Sequence, residues 1–404
     1  MKRSILLITL PLILLCSCHK NNKMFDPRQV DFSVAYDPLF DGQLYPSLIL
    51  GLNNASADSR QATFEISLTA PRDNCVLRVV VDSSSLNYVT IFQEVLPHHG
   101  QTYTFTPTLK WKYDQLRKLR QVGAVDLTFT LFLNDEEVDV KNLHLNYRTV
   151  NECPLSLRAN GQTVDYRWLF AAYVNEDHPV IEQILTEVIE QGNVSRLAGY
   201  QGTEAEVNKQ VFAIWYYVLN RGITYSSISC TSNPSPNANV QHIRFFDEVY
   251  NTRQANCIDA CVFFASILRK IGIKPVIFVE PCHAYLGYYS DKKRRHLHLL
   301  ETTITSWVNF PELDKAVDSE GMLDSVRYQK VEKYLSAKDI KRYADGKLPY
   351  DELKRVVAQS LFDKAADYDR ETYNANRKLF TDTSAMTYQQ LDIEQLRRNV
   401  QPIN

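Results

Sequence analysis

Apolar residues recur at every second position along the first third of the chain, and the spacing becomes helical near Asn151. Before that point Phe64, Ile66 and Leu68 alternate with polar residues, Val76 to Val81 is a β-branched run, and Tyr103 and Phe105 alternate with threonines. Val125, Leu127, Phe129, Leu131 and Leu133 hold the same period up to Asn134-Asp135-Glu136. Val138 and Val140 follow, and Leu143, Leu145 and Tyr147 continue the alternation. Half-buried strands separated by turn residues are what this pattern predicts, with a short helix over Tyr113 to Gln121.

Beyond Asn151 the pattern predicts helices. His178-Pro179 opens one with Val180, Ile181, Ile184, Leu185 and Val188 on a stripe, ended by Gly192. Thr203 and Glu206 form a capping-box pair before a second helix, whose stripe is Val211, Ile214, Trp215 and Val218 and whose stop is Gly222. Ser226 to Asn239 is rich in Ser, Asn and Pro and predicts a long loop beside the cleft. The whole is expected to be α+β. An immunoglobulin-like β-sandwich over residues 31–150, serving as spacer or interaction module, precedes an α+β core over 151–310 and a helical extension over 311–404 that wraps the core.

The chemistry concentrates between Ala255 and Thr303. Cys257 opens an apolar run, Ala260 to Ile271, that predicts a buried helix; Val276 to Val279 predicts a strand leading to His283, and a second strand ends at Glu301. A polar turn, Asp291 to Arg295, separates the two sides of this hairpin. If the chain turns about Lys292, His283 lies directly opposite Glu301 and their side chains share one face. A cysteine at a helix start, a histidine base and an orienting carboxylate make a thiol nucleophile. Cys261, one helical turn on, reads as core, and His296 and His298 as solvent-facing. Gln241 is a candidate oxyanion donor through its side-chain amide, beside the backbone N–H of Cys257.

These residues resemble the bacterial transglutaminase-like (papain-like thiol) superfamily. The pattern is Cys257-Ile258-Asp259 at a helix start, Leu268 to Pro275 at its end, His283-Ala284-Tyr285, and Glu301-Thr302. Leu197 to Gln201, Gln241 to Arg244 and Asp392 to Arg397 extend the resemblance, which covers residues 150–404. It implies a Cys257–His283–Glu301 triad cleaving or transferring an amide bond of a peptide or protein substrate. Two positions depart from the pattern: Asn256 stands where a small Gly-Thr pair often precedes the nucleophile, and Cys282 where glycine often precedes the histidine. Bulk there favours the alternative, a catalytically idle fold kept as a binding module of the cell envelope.

Composition changes the picture in three ways. A net charge of -2 gives no basic field, so nucleic acid is not an expected partner. Lys2-Arg3, an apolar run Ile5 to Leu15, and Leu15-Cys16-Ser17-Cys18 read as a signal peptide over 1–17 ending in a lipobox-like sequence. Cys18 is the expected lipidated first residue of a mature, envelope-anchored protein, with a tether to residue 30. The six remaining cysteines are too sparse for a disulfide scaffold. No zinc spacing or calcium loop is present, so neither metal nor cofactor is expected. His98-His99 reads as a solvated loop edge.

Overall fold

The computed structural model describes residues 30–52, 64–227, 235–382 and 386–403. Cys18, the signal peptide, Cys230 and half of the Ser226–Asn239 loop lie outside these residues. The chain is mixed α+β with several sheets.

Two antiparallel-rich sheets form from residues 32–147. One holds Gln43–Leu44, Glu136–Tyr147, Gly123–Leu133, Cys75–Val81 and Thr90–Leu96 in that order; the other holds Phe32–Tyr36, Phe64–Thr69 and Thr102–Phe105. The two-residue period explains the packing: Val125, Leu127, Phe129, Leu131 and Leu133 are all buried. Asn134 and Asp135 both take positive φ (46° and 66°), the conformation of a two-residue hairpin turn. The sheets meet through aromatic rings, Phe64 on Phe129 at 4.9 Å and Phe92 on Phe105 at 5.0 Å. The helix expected over Tyr113 to Gln121 is a single turn, Tyr113–Leu116.

Among the described residues no sheet combines strands from both sides of 148–151. Beyond that point Glu152–Ala159 pairs with Gln162–Asp165 and Ala238–His242. The helix Glu204–Arg221 has the Thr203–Glu206 capping box and a left-handed Gly222 at its end, as its sequence predicts. At the centre lies the cysteine helix, Cys257–Lys270, buried from Ile258 to Leu268. It packs on a four-stranded sheet ordered Leu297–Leu300, His283–Tyr289, Pro275–Glu280, Gln389–Asp392. Ile277, Val279, Ala284 and Leu286 join the main core, while Val276, Phe278, Tyr285 and Leu299 pack against Phe380 of the helix Arg370–Thr381.

Three expectations are corrected. The hairpin is displaced by two residues: Leu286 pairs with Leu300, so Tyr285 and not His283 is in register with Glu301. The cause is Asp291, whose carboxylate accepts from the N–H groups of Lys293, Arg295 and His296 and holds a wider loop than a turn about Lys292. Displacement by two keeps every side chain on its face, whereas displacement by one would reverse them all. His298 is half-buried, stacked on Tyr288 at 5.2 Å and bonded to the Ser290 hydroxyl at 3.0 Å. The segment 311–404 is also more than a helical wrap. Its strand Gln389–Asp392 completes the central sheet, and its tail returns to the N-terminal helix Pro46–Gly51, with the Gln401 N–H donating to the Gly51 carbonyl at 2.8 Å. Arg397 and Arg269 both reach Glu176 at 2.8 Å; burial would raise that carboxyl, but the two guanidiniums bring it down to about 2.

Candidate active site

The site begins at the cap of the cysteine helix. Asn256 has extended backbone and accepts from the Asp259 N–H at 2.9 Å, while Asp259 accepts from the Asn256 N–H at 3.0 Å. Asp259 is fully buried and also holds Arg244 through its backbone N–H at 2.9 Å and its guanidinium at 2.8 Å. This explains the departure at Asn256: asparagine is there as a cap, and Arg244 satisfies the cap's partner. Cys257 follows as the first helical residue, half-buried, where N–H groups are unpaired and the helix dipole is positive.

His283 reaches the cysteine from the neighbouring hairpin. Glu280 and His283 pair across a two-residue turn, Pro281-Cys282, and Cys282 takes φ of 63°. A proline followed by a left-handed residue is the pattern of a type II turn, which glycine fills without strain. Cysteine there costs about 1 kcal/mol, and its thiol is exposed. Cys257 lies close enough to His283 to act on its ring, and the ring Nε2 lies 2.6 Å from Glu301 Oε2. With Nε2 committed to Glu301, Nδ1 is the nitrogen left for the sulfur.

Glu301 has no solvent exposure; its Oε1 accepts from the Thr303 N–H at 2.7 Å and its own N–H donates to the Ala365 carbonyl at 2.9 Å. Burial works to raise its carboxyl, but the His283 and Thr303 bonds win and hold it below the usual range. The His283 ring is correspondingly raised to about 11, first by Cys257 and then by Glu301. At neutral pH the ring is therefore an imidazolium between a sulfur and a carboxylate.

Cys261 is wholly buried, 3.8 Å from the Thr302 hydroxyl, and burial pushes its thiol well up. Gln241 lies on the strand Ala238–His242, where its amide donates to the His242 carbonyl at 2.8 Å. Two further residues enter that sequence patterns did not single out. Tyr225 is half-exposed and close enough to Cys257 and Glu301 for their charges to add to burial in raising its phenol. Asp369 is buried, and its carboxyl oxygen, His283 and Glu301 all lie within 4.8 Å of one another. Burial and the Glu301 charge push Asp369 up to about 8. An aspartate ahead of a helix reads in sequence as an ordinary cap, so nothing marked it out.

Among the described residues, two clusters have donor atoms close enough for a metal: His283, Glu301 and Asp369, and Glu204, Asp291 and His296. In the first, His283 is protonated and bonded to Glu301, so its nitrogen offers no lone pair. In the second, Asp291 is committed to three backbone N–H groups of its own loop. Neither arrangement resembles an open metal site. Among the described residues, no helix is long and apolar enough to cross a membrane. Neither the protein-family models nor the curated proteins give a match to this chain.

Proposed function

We propose that the protein is an exported, lipid-anchored thiol enzyme of transglutaminase-like type that cleaves or transfers an amide bond of a peptide or protein. The observation that carries this reading is the 2.6 Å contact of His283 with the buried Glu301, with Cys257 beside the same ring at the first turn of a capped helix. A sulfur beside an imidazolium and a helix N-terminus reacts as a thiolate. It attacks the carbonyl carbon, and the Cys257 backbone N–H steadies the oxyanion. His283 gives its proton to the departing amine, leaving an acyl-enzyme and a neutral ring. The ring then takes a proton from the incoming water or amine as the thioester is resolved. Glu301 keeps the ring oriented and compensates its charge. In the same reading, the two sheets of residues 32–147 are an immunoglobulin-like sandwich that holds the site away from a membrane anchored through Cys18.

Labelling the full chain with iodoacetamide at mildly acidic pH tests this. Cys257 should react ahead of Cys261 and of the exposed Cys282, and His283→Ala should remove that preference. An inert Cys257, or one whose rate ignores His283, would leave the idle binding module as the better reading. The address has its own test: Cys18→Ser should release protein from the membrane fraction or leave the precursor uncleaved, and unchanged lipid attachment would refute it.

A further inference from the structure

We propose that Asp369 is a positioning residue of this site: held as a neutral carboxylic acid, it donates its O–H to Glu301 and so fixes the carboxylate that orients His283. The inference rests on the Cys257–His283–Glu301 reading and adds a fourth member, drawn from the segment that sequence marks as a helical wrap. Three observations carry it. Asp369 stands at the N-cap of the helix Arg370–Thr381 yet makes no capping bond, against the habit of aspartate there. Its side chain is buried at 4% exposure with a carboxyl oxygen within 4.8 Å of Glu301's, while its Oδ2 has no hydrogen-bond partner. Two ionised carboxylates are both acceptors only, so a bond between them requires a proton on one.

The geometry decides which one. Glu301 accepts from His283 Nε2 and from the Thr303 N–H, two donors that favour its charged form. Asp369 has no such donors, and Arg370, next in the chain, turns to Asp367 at 2.8 Å. The other titratable groups around it are Glu280 at the end of one strand, His283 and Tyr285 on the next, and Cys261 on the cysteine helix. Of these only His283 carries positive charge, and it is already matched by Glu301. The proton therefore belongs to Asp369, in keeping with a carboxyl raised to about 8.

Ionising Asp369 would turn that bond into repulsion between two buried carboxylates and loosen the hold on His283. This happens well below the point, about 11, at which His283 itself gives up its proton. A titration seen at the His283 ring near 8 would thus report Asp369 and not the ring. The test is NMR of the histidine-labelled full chain as pH is raised, with iodoacetamide rates at Cys257 in parallel. The His283 ring signals should show an inflection near 8 that is absent in Asp369→Asn. Asp369→Ala should slow alkylation roughly tenfold, and Asp369→Asn should restore most of the rate because an amide N–H can still donate to Glu301. A wild-type ring signal flat through that range would overturn the proposal even if neither variant folded. So would an inflection that survives in Asp369→Asn, or equal losses in both variants. If Cys257 proves inert while the inflection is present, the enzyme reading falls and the Asp369 contact stands.

Discussion

Among the described residues lie two clusters of one histidine, one glutamate and one aspartate, and in both the histidine–glutamate distance is 2.6 Å. His283, Glu301 and Asp369 lie at the end of the cysteine helix; His296, Glu204 and Asp291 lie at the hairpin loop. What separates them is surroundings. The Glu301 side chain has no exposure and Glu204 has 44%, so the first pair is sheltered from water and salt and the second is not. The aspartates differ even more. Asp291 is given three backbone N–H donors, which outweigh burial and bring it down to about 2. Asp369 is given none, and is pushed up to about 8. The same residue types with the same His–Glu separation thus make a loop clamp in one place and a proton-bearing site in the other.

The comparison breaks most visibly if Glu301 is altered. Glu301→Gln keeps the shape but no longer compensates an imidazolium, so the rate of Cys257 alkylation should fall by about 10² or more. Cys257→Ala should abolish labelling at that position. Circular dichroism should show the fold retained in both, and a wild-type rate in Glu301→Gln would mean that the buried pair is no more reactive a device than the exposed one.

Next in size come the pH slopes of stability, which should run in opposite directions for the two aspartates. Asp291 has a folded pKa below its ordinary 3.8, so its contribution is present above that value and is lost as pH falls towards about 2. Asp369 has a folded pKa above 3.8, so the folded state binds the extra proton and stability declines as pH rises from there towards about 8. Asp291→Asn should therefore lower Tm at neutral pH, while Asp369→Asn should raise it. The His283 ring adds a contribution fully present below 6.5 and lost as pH climbs to about 11. Thermal melts over a pH series measure all three, and slopes of the same sign for the two aspartates would erase the distinction drawn between the clusters.

A smaller effect sharpens the boundary of the buried cluster on its helix side. Cys261→Ala leaves a methyl-sized gap next to Thr302, costing about 1 kcal/mol, and Cys257 should be alkylated at the wild-type rate. Denaturant titration together with the labelling assay would check this. A loss of Cys257 reactivity would draw Cys261 into the site.

Much of this could be read from the chain because local signals carry it. Two-residue alternation placed the strands of residues 64–147, a capping box placed the helix after Thr203, and an apolar run placed the cysteine helix, whose Asn256 cap went unread. Cys257, His283 and Glu301 could be brought together on paper because they belong to one helix and one hairpin. The register of that hairpin escaped, since it depends on how the Asp291 side chain folds the loop, which composition does not reveal. Only the parity of the displacement let the face assignment stand. Asp369 and the strand Gln389–Asp392 escaped for another reason. Both come from the far end of the chain, and their places depend on long-range docking that no local period encodes.

The smallest expected effect tests the exposed cluster. His296 and Glu204 are 54% and 44% exposed, and their contact bridges the hairpin loop to the start of the helix Glu204–Arg221. Solvent and salt screen such a pair, and ordering two mobile side chains offsets much of its attraction. Glu204→Gln should change stability by no more than about 0.5 kcal/mol, with Cys257 alkylated at the wild-type rate. The helix start should survive because its cap is made by Thr203 and Glu206, not by Glu204. The loop should survive because Asp291 holds it through backbone N–H groups that this change leaves alone. Urea titration at low and high salt would measure the difference. A loss of several kcal/mol, or one insensitive to salt, would show that a 2.6 Å contact is strong wherever it occurs, and burial would no longer explain why only one of the two clusters can act as a site.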